Sequence, residues 1–270
     1  SMVIKDHIHG NIYLDGPEIH VIKHPLFQRL RFISQNGISQ FVYPGLTHNR
    51  FIHSLGVMNL AGKIWNALIG HLSKPWLKEL EKTIQKDMEK FGIEKGTVAP
   101  LEFIQKVIRL AALVHDIGHT PLSHLTEQWI FRILDMSFPL FFESLESSPV
   151  HEMFTLWLVM DTDLVPEDYR NAVYLLLLSA YLPEKHIKPR SDLIDYYYIL
   201  KDSVFFTISK IISSEIDADR MDFLLRDGTL SGTTFGIYDV ERLIDAARLV
   251  KENDKWRLYF SYKAKSTVES

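Results

Sequence analysis

The sequence contains no cysteine, which excludes disulfide frameworks and thiolate metal centres and fits a reducing cytosol. It also lacks any run approaching the roughly 18 consecutive apolar residues of a membrane span, so no membrane partner is expected. The start, SMVIKDHIHG, has no charged-then-apolar order of a secretion signal, and its leading Ser-Met reads as an artificial extension. A cytoplasmic location is the expectation. Basic excess is missing too: 30 Lys and Arg against 34 Asp and Glu give a net charge of −4. A dedicated duplex-DNA binder carries a clear positive surplus, so any anionic ligand must meet a local cluster of Arg, Lys and His. Internal repeats, low-complexity tracts and convincing linkers are absent as well. What remains is 270 residues, 46% hydrophobic and 24% charged, ordinary for a globular chain that can bury a substantial core. Histidine is the outlier, with twelve, several of them close together.

Apolar spacing assigns most of the chain to helix. Residues 1–20 read as extended, with GNIYLDG as a strand. Residues 24–37 are helical in pattern through Leu26, Phe27, Leu30 and Ile33, with Gly37 as a stop. Further helices are expected at 53–71, 101–119, 122–135, 150–160, 168–181, 191–203 and 204–226, and DKWRLYFSYK alternates like a strand. Lys74 to Gly96 is a charged stretch whose Trp76, Leu80, Ile84, Met88 and Phe91 share one side, which reads as a charged helical insertion on the surface. The simplest organisation is one mostly α domain over 1–270 with a few short β strands.

Chemistry enters where apolar stripes end in polar groups. Projecting 104–119 at the helical repeat aligns Ile104, Val107, Ile108 and Ala111 with His115 and His119. Likewise Val57, Leu60, Ala61, Ile64 and Leu68 align with His53, and Ile208, Ile211, Ile212 and Ile216 with Asp219 and Phe223. A lone inward histidine is usually a hydrogen-bonded core residue. A lone inward aspartate is rarer, because an unpaired buried carboxylate is costly. Together, His53, His115, Asp219 and the neighbouring Asp116 satisfy one divalent cation, and the cation removes the cost of burying them. An all-nitrogen-and-oxygen set suits Mn, Fe, Co, Ni or Mg, with Zn also admitted. In LVHDIGHTPLSH, Gly118 and Pro121 then serve to end the helix so that His119 and His124 face the metal from a turn. Arg50, Arg220, His151 and Glu152 lie nearby in sequence, and guanidinium groups beside metal ligands suit phosphate hydrolysis.

HNRFIHSLGV, HDIGHTPLSH and DADRMDFLLRD, in this order, resemble the HD-domain phosphohydrolases. The nearer resemblance is to the branch holding the sterile-alpha-motif-and-HD-domain deoxynucleoside triphosphate triphosphohydrolase and its bacterial relatives. IHGNIYLD and HPLFQRLRFISQNG resemble that branch too. The resemblance implies an HD-type helical core with metal ligands His53, His115, Asp116 and Asp219. It makes His119, His151 and Glu152 the adjacent phosphate or second-cation face, His124 the proton donor to the leaving 5′-oxygen, and Glu127 the residue orienting it. Arg50 and Arg220 would hold phosphates, while Gln35 and Asp227 would read the sugar 3′-hydroxyl. Gln28 and Arg31 match an effector site at which Lys23 and Met2 depart from the family. Phe223 stands where the family has tyrosine, and Ile52 where it commonly has glutamate. The family continues into a further helix beyond KSTVES, so the domain reads as truncated at its C-terminus. A homo-oligomer, dimer or tetramer, and a nucleotide activator are further implications.

The implied reaction is hydrolysis of a deoxynucleoside triphosphate at the α-phosphorus, giving deoxynucleoside and tripolyphosphate. Two alternatives share the same residues. One is an HD-type phosphodiesterase or nucleotidase acting on another nucleotide. The other is a nucleotide- or single-stranded nucleic-acid-binding module with a non-catalytic metal site.

Overall fold

In this computed structural model, residues 1–36, 45, 47–120, 150–182, 194–214, 216–231 and 237–260 are described. Helix dominates among them. Apart from an isolated bridge between Ser34 and Asn49, their β structure is two antiparallel hairpins: β1 (Met2–Asp6) with β2 (Gly10–Leu14), and β3 (Ala247–Glu252) with β4 (Lys255–Phe260). The first hairpin pairs Asp6 with Gly10 across residues 7–9. Gly10 has φ 70°, a left-handed conformation that costs glycine little and closes such a turn. In the second, Asn253 and Asp254 both have positive φ, the requirement of a two-residue turn that follows strand twist. The expected strand in DKWRLYFSYK is thus present, and its partner ARLVKE escaped the alternation pattern.

The opening residues are less extended than expected. After β2, α1 (Gly16–Lys23) begins at Asp15, whose side chain accepts from Glu18 N while the Glu18 carboxylate accepts from Asp15 N. This reciprocal pair satisfies two amides at the helix start. Pro25 then forces His24 out of helical conformation (ψ 136°). The single helix expected over 24–37 is therefore a short α2 (Pro25–Gln28) and a 3-10 turn (Arg29–Phe32).

The remaining helices are α3 (Arg50–Gly70), α4 (Lys74–Lys90), α5 (Pro100–Val114), α6 (Val150–Asp161), α7 (Glu167–Tyr181), α8 (Ile194–Lys201), α9 (Val204–Ser209), α10 (Ala218–Ser231) and α11 (Ile237–Asp245). The expected helix at 122–135 lies outside the described residues. Helices α3 and α5 pack on each other, with α10 against α3 and α7 against α5. Leu55, Met58, Ile64, Trp65 and Leu68 of α3, with Val107 and Ile108 of α5, are completely buried. Each such large side chain contributes about 1.5–3 kcal/mol by leaving water. The charged α4 is docked through Leu80, Ile84 and Met88. Its Asp87 carboxylate accepts from Val204 N at 2.7 Å, capping the start of α9.

The expected continuous helix over 204–226 is two helices. The chain leaves helical conformation after Ser209, and Asp217 starts a new helix. Its carboxylate accepts from Arg220 N and from Ser214 N, both at 2.7 Å, the pattern of an N-cap that also closes the preceding turn. No helix among the described residues is long and apolar enough to cross a membrane.

Candidate metal centre

Three helix ends meet. At the first, the Asn49 side chain accepts from Ile52 N at 3.1 Å and starts α3, so Arg50 and the fully buried His53 occupy its first turn. At the second, α5 stops at Val114 rather than 119, making His115 its C-terminal cap and Asp116 the next residue of a turn. At the third, Asp219 lies in the first turn of α10.

The turn after α5 is clamped through carbonyls that a helix end leaves without partners. The Arg29 guanidinium donates to Ile117 O, and to His119 O at 2.6 Å. Tyr181 Oη donates to His115 O at 2.9 Å, and Thr155 Oγ1 donates to the same oxygen at 3.2 Å while accepting from Gly118 N at 3.0 Å. A Cβ at Gly118 would sit 2.0 Å from His151 O. Gly118 is therefore needed for close approach to α6, not to stop α5, which has already ended.

His53, His115 and Asp219 offer ligand atoms within 4.8 Å of one another. His53 Nε2 lies 2.8 Å from Asp219 Oδ1, and His115 Nε2 lies 3.6 Å from the same oxygen. Asp116 borders them: its Oδ1 is 3.4 Å from His115 Nε2, and its Oδ2 is 3.9 Å from His53 Nε2 and 2.5 Å from an Arg50 guanidinium nitrogen. His115 Nδ1 donates to Ala112 O at 2.7 Å, which leaves the lone pair on Nε2. That atom is buried and has no hydrogen-bond partner among the described residues. An unmet imidazole lone pair beside carboxylates fits a divalent cation of the Mn, Fe, Co, Ni, Zn or Mg group.

The electrostatics agree. Burial alone would depress the pKa of His53, but hydrogen bonds to Asp219 and Asp222 outweigh it and push the value up to about 10. Burial would raise Asp116, yet the charges of His115, Arg50 and His119 hold it below the usual carboxylate range. Asp219 is likewise held low, against its burial, by the His115 imidazole 3.6 Å away and by its hydrogen bond to His53 at 2.8 Å. The site attracts positive charge.

The other sequence-derived residues distribute unevenly. The His119 and His151 rings stack at 3.9 Å and 16°, and His119 Nε2 is 3.5 Å from Asp116 Oδ1. Glu152 follows in the first turn of α6, where burial pushes its carboxyl up to about 7 against the opposing charge of His151. Gln35 N donates to His48 O at 3.2 Å, and His48 Nε2 is 3.9 Å from Asp227 Oδ1. These three residues form a second polar group. Arg220 is exposed next to Asp219, and Phe223, one turn on, is exposed too. Gln28 and Arg31 pair with each other (2.8 Å), and the Arg31 guanidinium lies 3.6 Å over Phe51. His124 and Glu127 lie outside the described residues.

Sequence reasoning missed Asp222, Arg226, Asp6 and His9. His53 Nδ1 bonds Asp222 Oδ2 at 2.8 Å, and His9 Nε2 bonds Asp222 Oδ1 at 2.5 Å. Arg226 Nε donates to Asp222 Oδ2 at 2.7 Å, and its two terminal nitrogens reach Asp6 at 2.9 and 3.2 Å. A Cβ at Gly56 would lie 1.8 Å from Asp222 Oδ1, so that glycine admits the carboxylate into α3. The available signal was the i,i+4 pair Asp222–Arg226; nothing periodic links either to residue 9.

Residues 50–145 match the HD domain family. A protein of Methanocaldococcus jannaschii is 30% identical over 268 residues, covering 99% of this chain and 42% of its own length. The human deoxynucleoside triphosphate triphosphohydrolase SAMHD1 is 29% identical over 271 residues, covering 95% and 37% respectively; its Dictyostelium discoideum homologue is 27% identical, covering 93% and 40%. The chain thus spans about half or less of the length of these curated relatives. The crystal structure of a Bacteroides thetaiotaomicron phosphohydrolase shares the fold, with a TM-score of 0.62 at 23% identity, over all of this chain and 51% of that one. The chain is thus similar to HD-domain proteins over residues 50–145 and, over most of its length, to the SAMHD1 deoxynucleoside triphosphate triphosphohydrolases.

Proposed function

We propose that the chain hydrolyses deoxynucleoside triphosphates to deoxynucleoside and tripolyphosphate, with a divalent cation held by His53, His115, Asp116 and Asp219. The observation that carries this reading is the buried, unpartnered lone pair of His115 Nε2 facing Asp219 and Asp116. The HD match and the SAMHD1 homology support metal-dependent nucleotide hydrolysis in general. When bound, such a cation neutralises phosphate oxygens and lowers the pKa of water.

The chain's own groups bind and orient. Arg50 fixes the Asp116 carboxylate and sets a guanidinium charge where a phosphate oxygen would bind. The stacked His119 and His151 present imidazole N–H groups to the polyphosphate, with Glu152 beside them and Arg220 at the exposed edge. Gln35 and Asp227 hold the sugar hydroxyl in the polar group that includes His48. His124 donates the proton to the departing 5′-oxygen, and Glu127 orients it. Gln28 and Arg31 contact a nucleotide effector, and the working form is a homo-oligomer; both follow from the family resemblance. Phe223 favours one second reading, a phosphodiesterase or nucleotidase on another nucleotide, because an exposed ring without hydroxyl stands beside the ligands.

The test is incubation with Mn²⁺ and each deoxynucleoside triphosphate, with products separated by anion exchange. Nucleoside plus tripolyphosphate is the expected outcome. Pyrophosphate or monophosphate would move the assignment to the second reading. No turnover with several metals and added nucleotides would leave a binding module.

A further inference from the structure

His53 is gripped from behind. Its Nε2 faces Asp219 and Asp116, while its Nδ1 meets Asp222, a carboxylate with no exposed surface. An ionised carboxylate only accepts, and the fully buried Arg226 guanidinium, donating to Asp222 Oδ2 at 2.7 Å, calls for an ionised partner there. The nitrogens facing it must therefore carry hydrogen: Nδ1 of His53 and Nε2 of His9.

The network extends to the N-terminal hairpin. His9 reaches Asp222 from the turn between β1 and β2, where Gly10 takes its left-handed φ and His9 N donates to Asp6 Oδ2 at 3.3 Å. Arg226 bridges Asp222 to Asp6 and also donates to Ile52 O, one residue before His53, at 3.0 Å. The side chains of Asp6, Asp222 and Arg226 are completely buried, and that of His9 nearly so. Burying this many charges is expensive unless each is satisfied. These four side chains converge on one nitrogen of one imidazole and on the backbone beside it.

We propose that Asp222, with His9 and Arg226 behind it, is the positioning residue that fixes His53 as the Nδ1–H tautomer and aims its Nε2 lone pair at the cation, so that the β1–β2 hairpin is a working part of the metal centre. This rests on the reading of His53 as a ligand. Partners of this kind orient a ligand ring and raise its basicity, and their loss typically costs 10–100-fold in metal affinity. An asparagine at 222 has one acceptor oxygen for three donors, so at least one of His53, His9 and Arg226 loses its partner. Glutamine at position 9 retains an N–H that can reach the same oxygen, whereas alanine does not.

The experiment is a Mn²⁺ titration of the full chain, free ion read by electron paramagnetic resonance, for the wild type, Asp222→Asn, His9→Ala and His9→Gln, with urea midpoints measured in parallel. Asp222→Asn is expected to bind Mn²⁺ about 10–100-fold more weakly. His9→Ala should be weakened less, and His9→Gln should recover towards the wild type. The His9 pair keeps the test decisive should Asp222→Asn fail to fold. If all folded variants bind Mn²⁺ as tightly as the wild type, with only their urea midpoints lowered, the network is structural and the inference is overturned. A wild-type chain that binds no divalent cation overturns the metal reading itself, and the inference with it.

Discussion

Two imidazoles face the same carboxylate and are held by opposite means. His115 is oriented locally: its Nδ1 donates to Ala112 O, three residues back on its own helix end. His53 is oriented by tertiary structure, through Asp222, 169 residues away in sequence, with His9 and Arg226 behind it. A local restraint forms whenever α5 forms. A tertiary one forms only when α3, α10 and the β1–β2 hairpin are all docked. The His53 side should therefore be the more sensitive to substitutions away from the cluster.

The largest effect removes the comparison altogether. His115→Ala and His53→Ala should each abolish Mn²⁺ binding over the range in which the wild type saturates, as read by equilibrium dialysis. Binding retained by either would mean that its imidazole is not a ligand.

Next comes a pH signature on the His53 side. Burial lowers the pKa of His48 to about 4, and the positive charges of His53, Arg226 and His7 add to this against the opposing charge of Asp222. The folded state then binds fewer protons than the unfolded chain between its pKa and the ordinary 6.5. The His48 contribution is complete above about pH 6.5 and is lost as pH drops towards 4, by about 3 kcal/mol in all. The raised carboxyls of Glu152 and Asp217 act in the opposite sense over the same window, so the measure is the urea-unfolding stability of the wild type minus that of His48→Asn, which should shrink as pH falls.

Gly56→Ala sharpens the contrast further. Its methyl would overlap Asp222, which is locked by three partners and cannot easily yield. We expect destabilisation of about 1–3 kcal/mol in urea unfolding, together with weakened Mn²⁺ binding. The smallest effect belongs to the His115 side. Thr155→Val leaves Gly118 N without its acceptor and costs about 1–2 kcal/mol, but Ala112 O still orients His115. Mn²⁺ affinity should fall less than in Asp222→Asn, and an equal fall would erase the distinction.

Local chemistry was legible in the sequence wherever a helix face repeats. The stripes of α3 and α5 pointed to His53 and His115, because a buried apolar face extended by one turn delivers its next residue to the same interior. Asp219 was also selected, but by a projection through Ile208–Ile216 that the structure breaks. It reaches the cluster because Asp217 caps a new helix two residues earlier, a signal present in DADR and not used. Gly118 was noticed and given the wrong task, since close approach to α6 is a tertiary fact. The Asp222–His9 contact had no sequence signal at all: a hairpin turn and a helix meet only after folding. The polar group of Gln35, His48 and Asp227 was half legible, with His48 overlooked because it ends no apolar stripe.

The central claim is that side chains from three helix ends converge on one divalent cation. Crystals grown with Mn²⁺ and measured for anomalous scattering test it most directly. The expected result is one peak bonded to His53 Nε2, His115 Nε2 and the carboxylates of Asp219 and Asp116, at about 2.0–2.2 Å. A well-ordered cluster with no peak, or a peak bound elsewhere, would contradict it.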